Sequence, residues 1–433
     1  MVSADNRTKR ILISDIHMCD EDSLDPPNPY GWFGKDHARM LADFLEDIVI
    51  GDSEVKQLVI LGDLFDQWVY PGELDPLKEA EYLYKIAEAC QNRKVIGNLR
   101  AIAESDEIDL IYVPGNHDMP TTTMPFDGLV NILSKIIPGI KCVEGPFTTD
   151  DGISAEHGNT YCLFNAPDQY SKSGHILPLG YFITRVVTEK VAKTGESVNS
   201  LDVLWRIIEE YIADCIPHIK RSLATEKAGV DIAIDPIDWL IKHFFDAFDE
   251  LVKHSKFAGK VFDAILEDCC LTEQSQIEMD DVDGYAKQEI AKDIEGLFED
   301  LYDKWNGKIP SSCAVVDEHF LQFAVLEQQW SEGDIVILGH THKPVIAQGK
   351  EEIFWSILDL FPWLEELWEE FIGEERPEPK KSGIIYANCG TWINGEDCTF
   401  VETEIEDEKH YVRSKQYKED GETCCLGGKY IEL

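Results

Sequence analysis

Short apolar runs alternate with longer amphipathic segments over the first 140 residues of the chain. The runs are rich in Ile, Leu and Val and have the length of buried strands, whereas apolar residues in the longer segments recur at helical spacing. The pattern predicts, in order, strand Ile11–Ser14, helix Asp36–Ile50, strand Leu58–Leu61, helix Pro76–Asn92, strand Leu110–Val113 and helix Gly128–Ile137. This alternation is typical of an α/β domain built around a layered sheet.

A second group of strands is predicted near the C-terminus. Its members are Ile335–Leu338, Gly383–Ala387, Thr399–Ile405 and Tyr411–Gln416. Between the two groups, apolar residues recur at helical spacing and strand signals are few. We therefore predict a core formed by residues 1–169 and 331–433, interrupted by a helical insertion at 170–330.

The insertion is expected to be a cap over the functional face of the core; an oligomerisation element packed on the far side is the competing interpretation. It leaves the core soon after His157 and returns just before His340, so we expect both of its ends to lie at that face. A shorter acidic and aromatic segment, 351–375, predicts a helical insertion within the core. Packing of this helix on the larger insertion, a dimer contact and an apolar wall for a substrate remain open alternatives.

Length and charge narrow the classes of partner. A chain of 433 residues suits one large domain with insertions or a few domains. Its 83 acidic and 39 basic residues give a formal charge of −44, which repels nucleic acids and anionic membranes, so no nucleic-acid surface is expected. The N-terminus has no hydrophobic signal core, and no apolar run approaches the ~20 residues that span a bilayer. We expect a cytoplasmic protein without a transmembrane segment; a homo-oligomer stays open.

Five short polar motifs occur in order along the chain, and four of them follow short apolar runs. They are Asp15-Ile-His17, Gly62-Asp-Leu-Phe-Asp66, Gly115-Asn-His-Asp118, His157-Gly158 and Gly339-His-Thr-His342. In an open α/β sheet the ligand site lies at the carboxyl ends of the strands. The carboxylates, imidazoles and amide of these motifs are ligands that divalent transition metals accept. Seven ligands from five separate strand ends therefore predict a two-metal site.

The motif set resembles the calcineurin-like metallophosphoesterase superfamily, over about 1–160 and 330–405. The resemblance implies a four-layer αββα sandwich, here with a large helical insertion. It implies one metal held by Asp15, His17, Asp63 and His342, and a second held by Asp63, Asn116, His157 and His340. It also implies that His117 protonates the leaving oxygen as a general acid and that Asp66 orients His117.

The activity that this resemblance implies is hydrolysis of a phosphomonoester, phosphodiester or pyrophosphate bond by a metal-bridging hydroxide. The substrate would be a small phosphorylated molecule. Manganese or iron suits the imidazole ligands better than magnesium does, and zinc, nickel and cobalt are also compatible. Candidate substrate-contacting residues are Asn165, Asp168, Tyr181, Arg185 and Asn388. A solvated helix face for Arg185 and a plain strand-end turn for Asn388 are the alternatives.

Details of the motifs favour some members of the superfamily over others. Gln67 stands where serine/threonine protein phosphatases have an arginine, which argues against that activity. The LGDLFDQW and GHTHKP runs resemble the UDP-2,3-diacylglucosamine pyrophosphatase branch, although that branch has an arginine in place of His117 and a much shorter cap. A UDP-sugar-lipid-type pyrophosphatase and a non-catalytic binding scaffold are therefore kept as alternatives. His117 and Asp66, which a scaffold does not need, favour the enzyme.

Overall fold

The computed structural model describes residues 7–25, 27–70, 79–161, 165–167, 176–195, 335–348, 384–393 and 398–432. Twelve strands lie within these residues. They are β1 (Lys9–Ile13), β2 (Val55–Leu61), β3 (Asp109–Val113), β4 (Lys141–Cys142), β5 (Phe147–Thr148), β6 (Ile153–Glu156), β7 (Ile335–Leu338), β8 (Pro344–Gln348), β9 (Ile385–Cys389), β10 (Cys398–Glu406), β11 (Lys409–Tyr417) and β12 (Thr423–Glu432). Strand formation follows the apolar runs because each run buries a continuous stretch of Ile, Leu and Val.

Five α-helices lie in the same part of the chain. They are α1 (Lys35–Phe44), α2 (Glu79–Glu88), α3 (Arg93–Ala103), α4 (Phe126–Ile136) and α5 (Leu179–Thr194). The helix expected at Asp36–Ile50 is α-helical only to Phe44 and continues as a π-helix over Leu45–Ile50. None of the helices in the described ranges is long and apolar enough to cross a membrane.

The strands form two sheets. The larger sheet has seven strands in the order β12-β11-β10-β1-β2-β3-β4, and the smaller has five in the order β5-β6-β7-β9-β8. Strands β1 to β4 are parallel to one another, as are β6, β7 and β9. Strands β10 to β12 pair antiparallel and extend the larger sheet beside β1.

Alternating residues of the central strands separate two hydrophobic cores. In β1, Ile11 and Ile13 belong to the core that the helices α1 to α4 share with the larger sheet. Leu12, between them, belongs to the core between the two sheets, with Ile337 of β7 and Ala387 of β9. The predicted sandwich of two sheets with helices is confirmed. The described residues contain the two sheets and the helices that pack on the larger one; the fourth, helical layer stays a prediction.

The two predicted insertions lie mostly outside the described residues. Of 170–330, residues 176–195 are described, and they contain helix α5. The whole of 351–375 falls outside the described ranges. The helical character of the remaining residues and the division into core and cap therefore stay predictions.

One expectation about the larger insertion is wrong. Strands β6 and β7 are parallel neighbours, with Ile153 beside Ile335 and Glu156 beside Leu338. The chain therefore leaves the core at the carboxyl end of β6, next to His157, but returns at the opposite end of β7. Only the start of the insertion lies at the face that carries the polar motifs. Parallel neighbours run in the same direction, so the connection between them must cross from the carboxyl end of β6 to the amino end of β7.

Candidate functional site

All seven predicted metal ligands lie just beyond the carboxyl ends of five strands. Asp15 and His17 follow β1, Asp63 follows β2, Asn116 follows β3, and His157 follows β6 directly. His340 and His342 follow β7. Since β1, β2 and β3 are parallel, as are β6 and β7, and the two sheets face each other, the five ends converge at one edge of the sandwich.

Close approach of two turns is what allows Asp63 to reach the other ligands. A Cβ added to Gly62 would lie 2.4 Å from Gly115 Cα, and one added to Gly115 would lie 2.2 Å from Asp63 Oδ1. Neither position tolerates a side chain. Five of the candidate ligands also have left-handed backbone angles, with φ between 52° and 69°, at Asp15, His17, Asp63, His340 and His342. Such strained residues concentrate at functional sites.

Three of the ligands form an outer group, which we call the outer position: Asp15, His17 and His342. Asp15 Oδ1 lies 3.2 Å from His342 Nε2 and 3.9 Å from His17 Nε2. The two imidazole Nε2 atoms are 3.1 Å apart. The side chains of Asp15 and His17 are fully buried, whereas that of His342 is 28% exposed. The outer position is therefore the side of the cluster that meets solvent.

A second group, the inner position, consists of Asn116, His157 and His340 with Asp63. His157 Nε2 lies 2.9 Å from Asn116 Oδ1 and 3.3 Å from Asp63 Oδ2. The imidazole rings of His157 and His340 are 5.1 Å apart. Asp63 Oδ2 is also 3.6 Å from His17 Nε2 of the outer position. Asp63 thus lies between the two groups, where a bridging ligand is expected.

Two contacts within the cluster fit a bound cation. Among the described residues, the buried Asp15 Oδ1 has no hydrogen-bond donor. His157 Nδ1 lies 2.7 Å from the carbonyl oxygen of Leu61, which leaves Nε2, facing Asn116 Oδ1 and Asp63 Oδ2, as the nitrogen that can bind a proton or a metal ion. His/Asp groups of this kind could hold a metal ion.

The pKa shifts show how strongly the carboxylates and imidazoles interact. Burial opposes ionisation of Asp15, but His157 and His342 lower its pKa to about 2. Burial likewise opposes the charge on His157, while Asp63 and Asp15 raise its pKa to about 10. The negative charge gathered at Asp15 and Asp63 is thus large enough to bind protons or metal ions tightly.

A buried carboxylate links the outer position to His117. Asp66 Oδ1 lies 2.9 Å from His117 Nδ1, and Asp66 Oδ2 lies 3.2 Å from His17 Nδ1. Asp66 Oδ1 also accepts the backbone N–H groups of Trp68 and Val69 at 3.0 and 2.9 Å, which fix the carboxylate. The bond to His117 was expected from the sequence. The bond to His17 was not, and it leaves His17 Nε2 facing the ligand cluster.

The environment of His117 favours its protonated form. Burial works against the charge, but Asp66 and Asp63 raise the pKa of His117 above its usual value. Burial also opposes ionisation of Asp66, which His117 and His17 outweigh, so the pKa of Asp66 is lowered. The ring of Trp68 stacks on the imidazole with centroids 4.4 Å apart and holds its orientation. His117 can therefore donate a proton from Nε2 while Asp66 holds Nδ1.

Asp118 is a site residue to which sequence reasoning assigned no role. Its Oδ1 accepts the backbone N–H groups of Gly115 (2.8 Å) and Asp63 (3.1 Å). Its Oδ2 accepts those of Leu64 (2.7 Å) and Phe65 (3.1 Å). Burial and the charge of Asp63 raise the pKa of Asp118 to about 6. Its place at the end of the Gly-Asn-His-Asp motif was the available signal.

The candidate substrate residues occupy different places. Asn165 Nδ2 lies 3.3 Å from His340 Nε2, at the ligand cluster. Tyr181 is buried behind Trp68, with their rings 5.9 Å apart. Asn388 is fully buried and donates to the carbonyl oxygen of Gly339 over 2.6 Å, so it supports the turn that carries His340. Asp168 and the side chain of Arg185 lie outside the described residues.

Comparison with known families matches residues 8–233 to the calcineurin-like phosphoesterases. The matched segment spans more than half of the chain and includes four of the five motifs, from Asp15 to His157. The motif that contains His340 and His342 lies beyond it, directly after β7, where the fold brings it to the same end of the strands. No curated protein matches the chain.

Proposed function

The chain belongs to the calcineurin-like phosphoesterase family, and from that premise we propose that it is a metal-dependent hydrolase of a phosphate ester or pyrophosphate bond in a small molecule. The observation that carries the proposal is the double attachment of Asp66. One carboxylate positions both His17, a candidate metal ligand, and His117, a candidate acid. A proton donor held against a metal site is the arrangement that phosphoester hydrolysis needs.

The proposed ligand sets are the two groups that the cluster forms. The outer position would use Asp15, His17 and His342, the inner position Asn116, His157 and His340, and Asp63 would serve both. Two divalent cations bound there, manganese or iron by the imidazole content of the ligand set, would polarise a phosphate group and activate a water molecule. Only two carboxylates oppose their charge, so a net positive field would remain for an anionic substrate.

His117 is the proposed general acid. In ester hydrolysis a water molecule loses one proton to solvent as its oxygen forms a bond to phosphorus, and the bond from phosphorus to the ester oxygen breaks. His117 gives the proton on Nε2 to that oxygen and regains a proton from solvent. The products are an alcohol and a phosphate. Asp66 holds the opposite nitrogen and stabilises the imidazolium before transfer. Trp68 keeps the ring in place throughout.

Two alternatives remain, and specific features bear on each. The resemblance of LGDLFDQW and GHTHKP supports a UDP-sugar-lipid-type pyrophosphatase, but His117 departs from that branch. A non-catalytic scaffold would require neither a raised pKa at His117 nor the bond that Asp66 makes to it. The hydrolase is therefore the proposal with the most support.

Replacement of His117 by alanine tests the proposal. His117→Ala should bind manganese as the wild type does, yet turn over benzyl phosphate about 10²–10⁴-fold more slowly, the usual loss when a general acid is removed. With 4-nitrophenyl phosphate, whose leaving group needs little protonation, the loss should be much smaller. His37→Ala, which changes a histidine of α1 outside the ligand cluster, is the control. Equal losses for both esters would exclude the acid role, and absence of metal-dependent hydrolysis of any ester would exclude the hydrolase.

The pH dependence gives a second measurement of the same role. Because the pKa of His117 is raised above its usual value, the protonated acid persists to higher pH than that of a free histidine. Turnover of benzyl phosphate should therefore decline as pH rises through that pKa. His117→Ala should lack this alkaline decline. A decline of the same shape in the variant would assign it to another group.

A further inference from the structure

Trp32 is an exposed aromatic side chain at the edge of the candidate active site. Its ring centroid lies 5.0 Å from that of His17 and 5.7 Å from that of His117. It is nevertheless 39% exposed, one of four large hydrophobic side chains exposed in the described part of the chain. Tyr430 and Leu426, two of the others, lie on the edge strand β12, away from the ligand cluster. An exposed large apolar group in contact with catalytic residues marks a binding surface.

The loop that carries Trp32 is held rigidly. The N–H of Gly31 donates to the carbonyl oxygen of Ser23 over 2.9 Å, and a Cβ at Gly31 would lie 2.4 Å from Ser23 Oγ. Ser23 itself donates through N and Oγ to Asp20, at 2.9 and 2.8 Å. Phe33, which follows Trp32 in the chain, is fully buried in the core that the helices α1 to α4 share with the larger sheet. The indole is therefore presented by a fixed backbone, and a ligand that stacks on it would bear little ordering cost.

Trp32 and Trp68 contact the same imidazole in different ways. Trp68 is 2% exposed and stacks on His117 with an interplanar angle of 26°, so it is part of the packing that orients the acid. Trp32 is tilted by 50° to His117 and keeps a large part of its surface in solvent. Trp68 is thus explained by its packing on His117, whereas the exposed surface of Trp32 is not needed for that packing.

We propose that Trp32 is the stacking platform for a planar aromatic group attached to the ester oxygen of the substrate. The inference rests on the proposed function and deepens it by giving the class of leaving group. A leaving oxygen must lie within hydrogen-bond reach of His117, about 3 Å. With the two ring centroids 5.7 Å apart, an aromatic ring joined to that oxygen directly or through one methylene group reaches the indole. A ring held further from the ester oxygen, for example beyond a ribose, extends past Trp32 without stacking on it.

The first measurement compares two esters that differ in aromaticity but have leaving groups of similar size and basicity, benzyl phosphate and cyclohexylmethyl phosphate. Trp32→Leu should raise KM for benzyl phosphate about tenfold, because one stacking contact is lost. KM for the cyclohexylmethyl ester should change less than twofold. Trp32→Phe, which keeps an aromatic ring, should recover most of the discrimination. Tyr430→Leu is the matched control, an exposed aromatic outside the site. Equal losses for both esters, or no loss for either, would overturn the platform.

Equilibrium binding separates failure of this inference from failure of the proposed function. Benzylphosphonate and cyclohexylmethylphosphonate, which cannot be hydrolysed, are titrated by calorimetry into the manganese-loaded wild type and the Trp32 variants. Binding of both phosphonates with no preference that depends on Trp32 overturns the platform and leaves the phosphate site intact. If neither phosphonate nor inorganic phosphate binds, the proposed function itself fails, and the platform fails with it.

A third pair tests the reach of the platform. AMP carries its planar base beyond a ribose, and ribose 5-phosphate is the same molecule without the base. Trp32→Leu should leave the affinity for both nearly unchanged, because neither carries an aromatic ring within reach of the indole. Selective loss of AMP binding, with benzylphosphonate binding unchanged, would overturn the short-reach proposal in favour of a nucleotide platform.

Discussion

The two metal positions that we propose are built differently. Around the inner position, three backbone N–H groups of the Asp63 turn and that of Gly115 donate to Asp118, which is itself no candidate ligand. At the outer position, the candidate ligand Asp15 also anchors the turn that carries His340 and His342, because its Oδ2 accepts the backbone N–H of His340 over 2.8 Å. The Asp63 turn can therefore keep its shape without metal. At the outer position, Asp15 is both the candidate ligand and the group that fixes the neighbouring backbone. We infer that the inner position is preorganised and the outer position is the more labile.

The largest effect that would test this comparison is expected at Asp118. Asp118→Asn keeps the shape of the side chain but replaces one acceptor oxygen by an NH₂ group, which faces backbone donors. The free energy of unfolding should fall by about 2–4 kcal/mol, because buried N–H groups lose their acceptors. Urea unfolding of metal-free protein measures the loss. Asp150→Asn, at an exposed turn, should change stability by less than about 0.5 kcal/mol. Equal stability of the two variants would show that the inner turn does not depend on Asp118.

The second-largest effect is expected when a candidate ligand that belongs to only one of the two positions is removed. His342 belongs to the outer position alone and is 28% exposed, so His342→Ala should lose the outer ion and keep the inner one. Affinity at the outer position should fall at least about 100-fold, the upper range for changes around a metal site. Metal analysis after dialysis measures the content. In the wild type, a chelator should remove metal in two phases, the faster from the outer position. Loss of both ions together would contradict the comparison.

The smallest effect is expected at Ser14, which supports the outer ligand. Its hydroxyl lies against Asp15 Oδ2 and 2.6 Å from the carbonyl oxygen of Leu61, within a wholly buried contact. Ser14→Ala should lower metal affinity at the outer position about tenfold, as for other groups that orient a ligand. Inner affinity should fall less, because Ser14 Oγ lies 3.5 Å from His157 Nδ1 and that imidazole is also held by the carbonyl oxygen of Leu61. Ser134→Ala, on the exposed face of α4, is the control in the same titration. A matching loss at the inner position would show that the two positions are not independent.

The order of elements was predictable wherever one face or both faces of a strand are apolar. The runs at β1, β2, β3 and β7 are continuous because they are buried on both sides, and the α/β domain predicted from them is confirmed. Strand β12 was missed, since its sequence TCCLGGKYIE contains two glycines and it is a half-exposed edge strand. Strand β8 begins at Pro344 directly after a polar motif, which indicates a turn instead. Pairing with β9 overrides that local signal.

Within the site, the motifs predicted which residues meet but not how they hold one another. The residues predicted as ligands converge at one edge, although their roles as ligands stay predictions. The second bond of Asp66, to His17, joins two motifs 49 positions apart and depends on the angle between the strands. Asp118 accepts four hydrogen bonds from backbone N–H groups, and the spacing of residue types along the sequence does not reveal such bonds. Trp32 lies in a loop without a motif, and only the fold places it beside His117.

The parallel pairing of β6 with β7 has a consequence for how the chain can be divided. The part before the insertion contributes β1 to β4 to one sheet and β5 and β6 to the other, and the part after it completes both sheets. A fragment that ends at residue 233, where the family match ends, would leave β1 without β10 and β6 without β7. Both open edges would expose unpaired backbone groups and invite association with other chains. The unit of folding is therefore an interleaved pair of segments, and truncated expression products of this protein should aggregate instead of forming a smaller active domain.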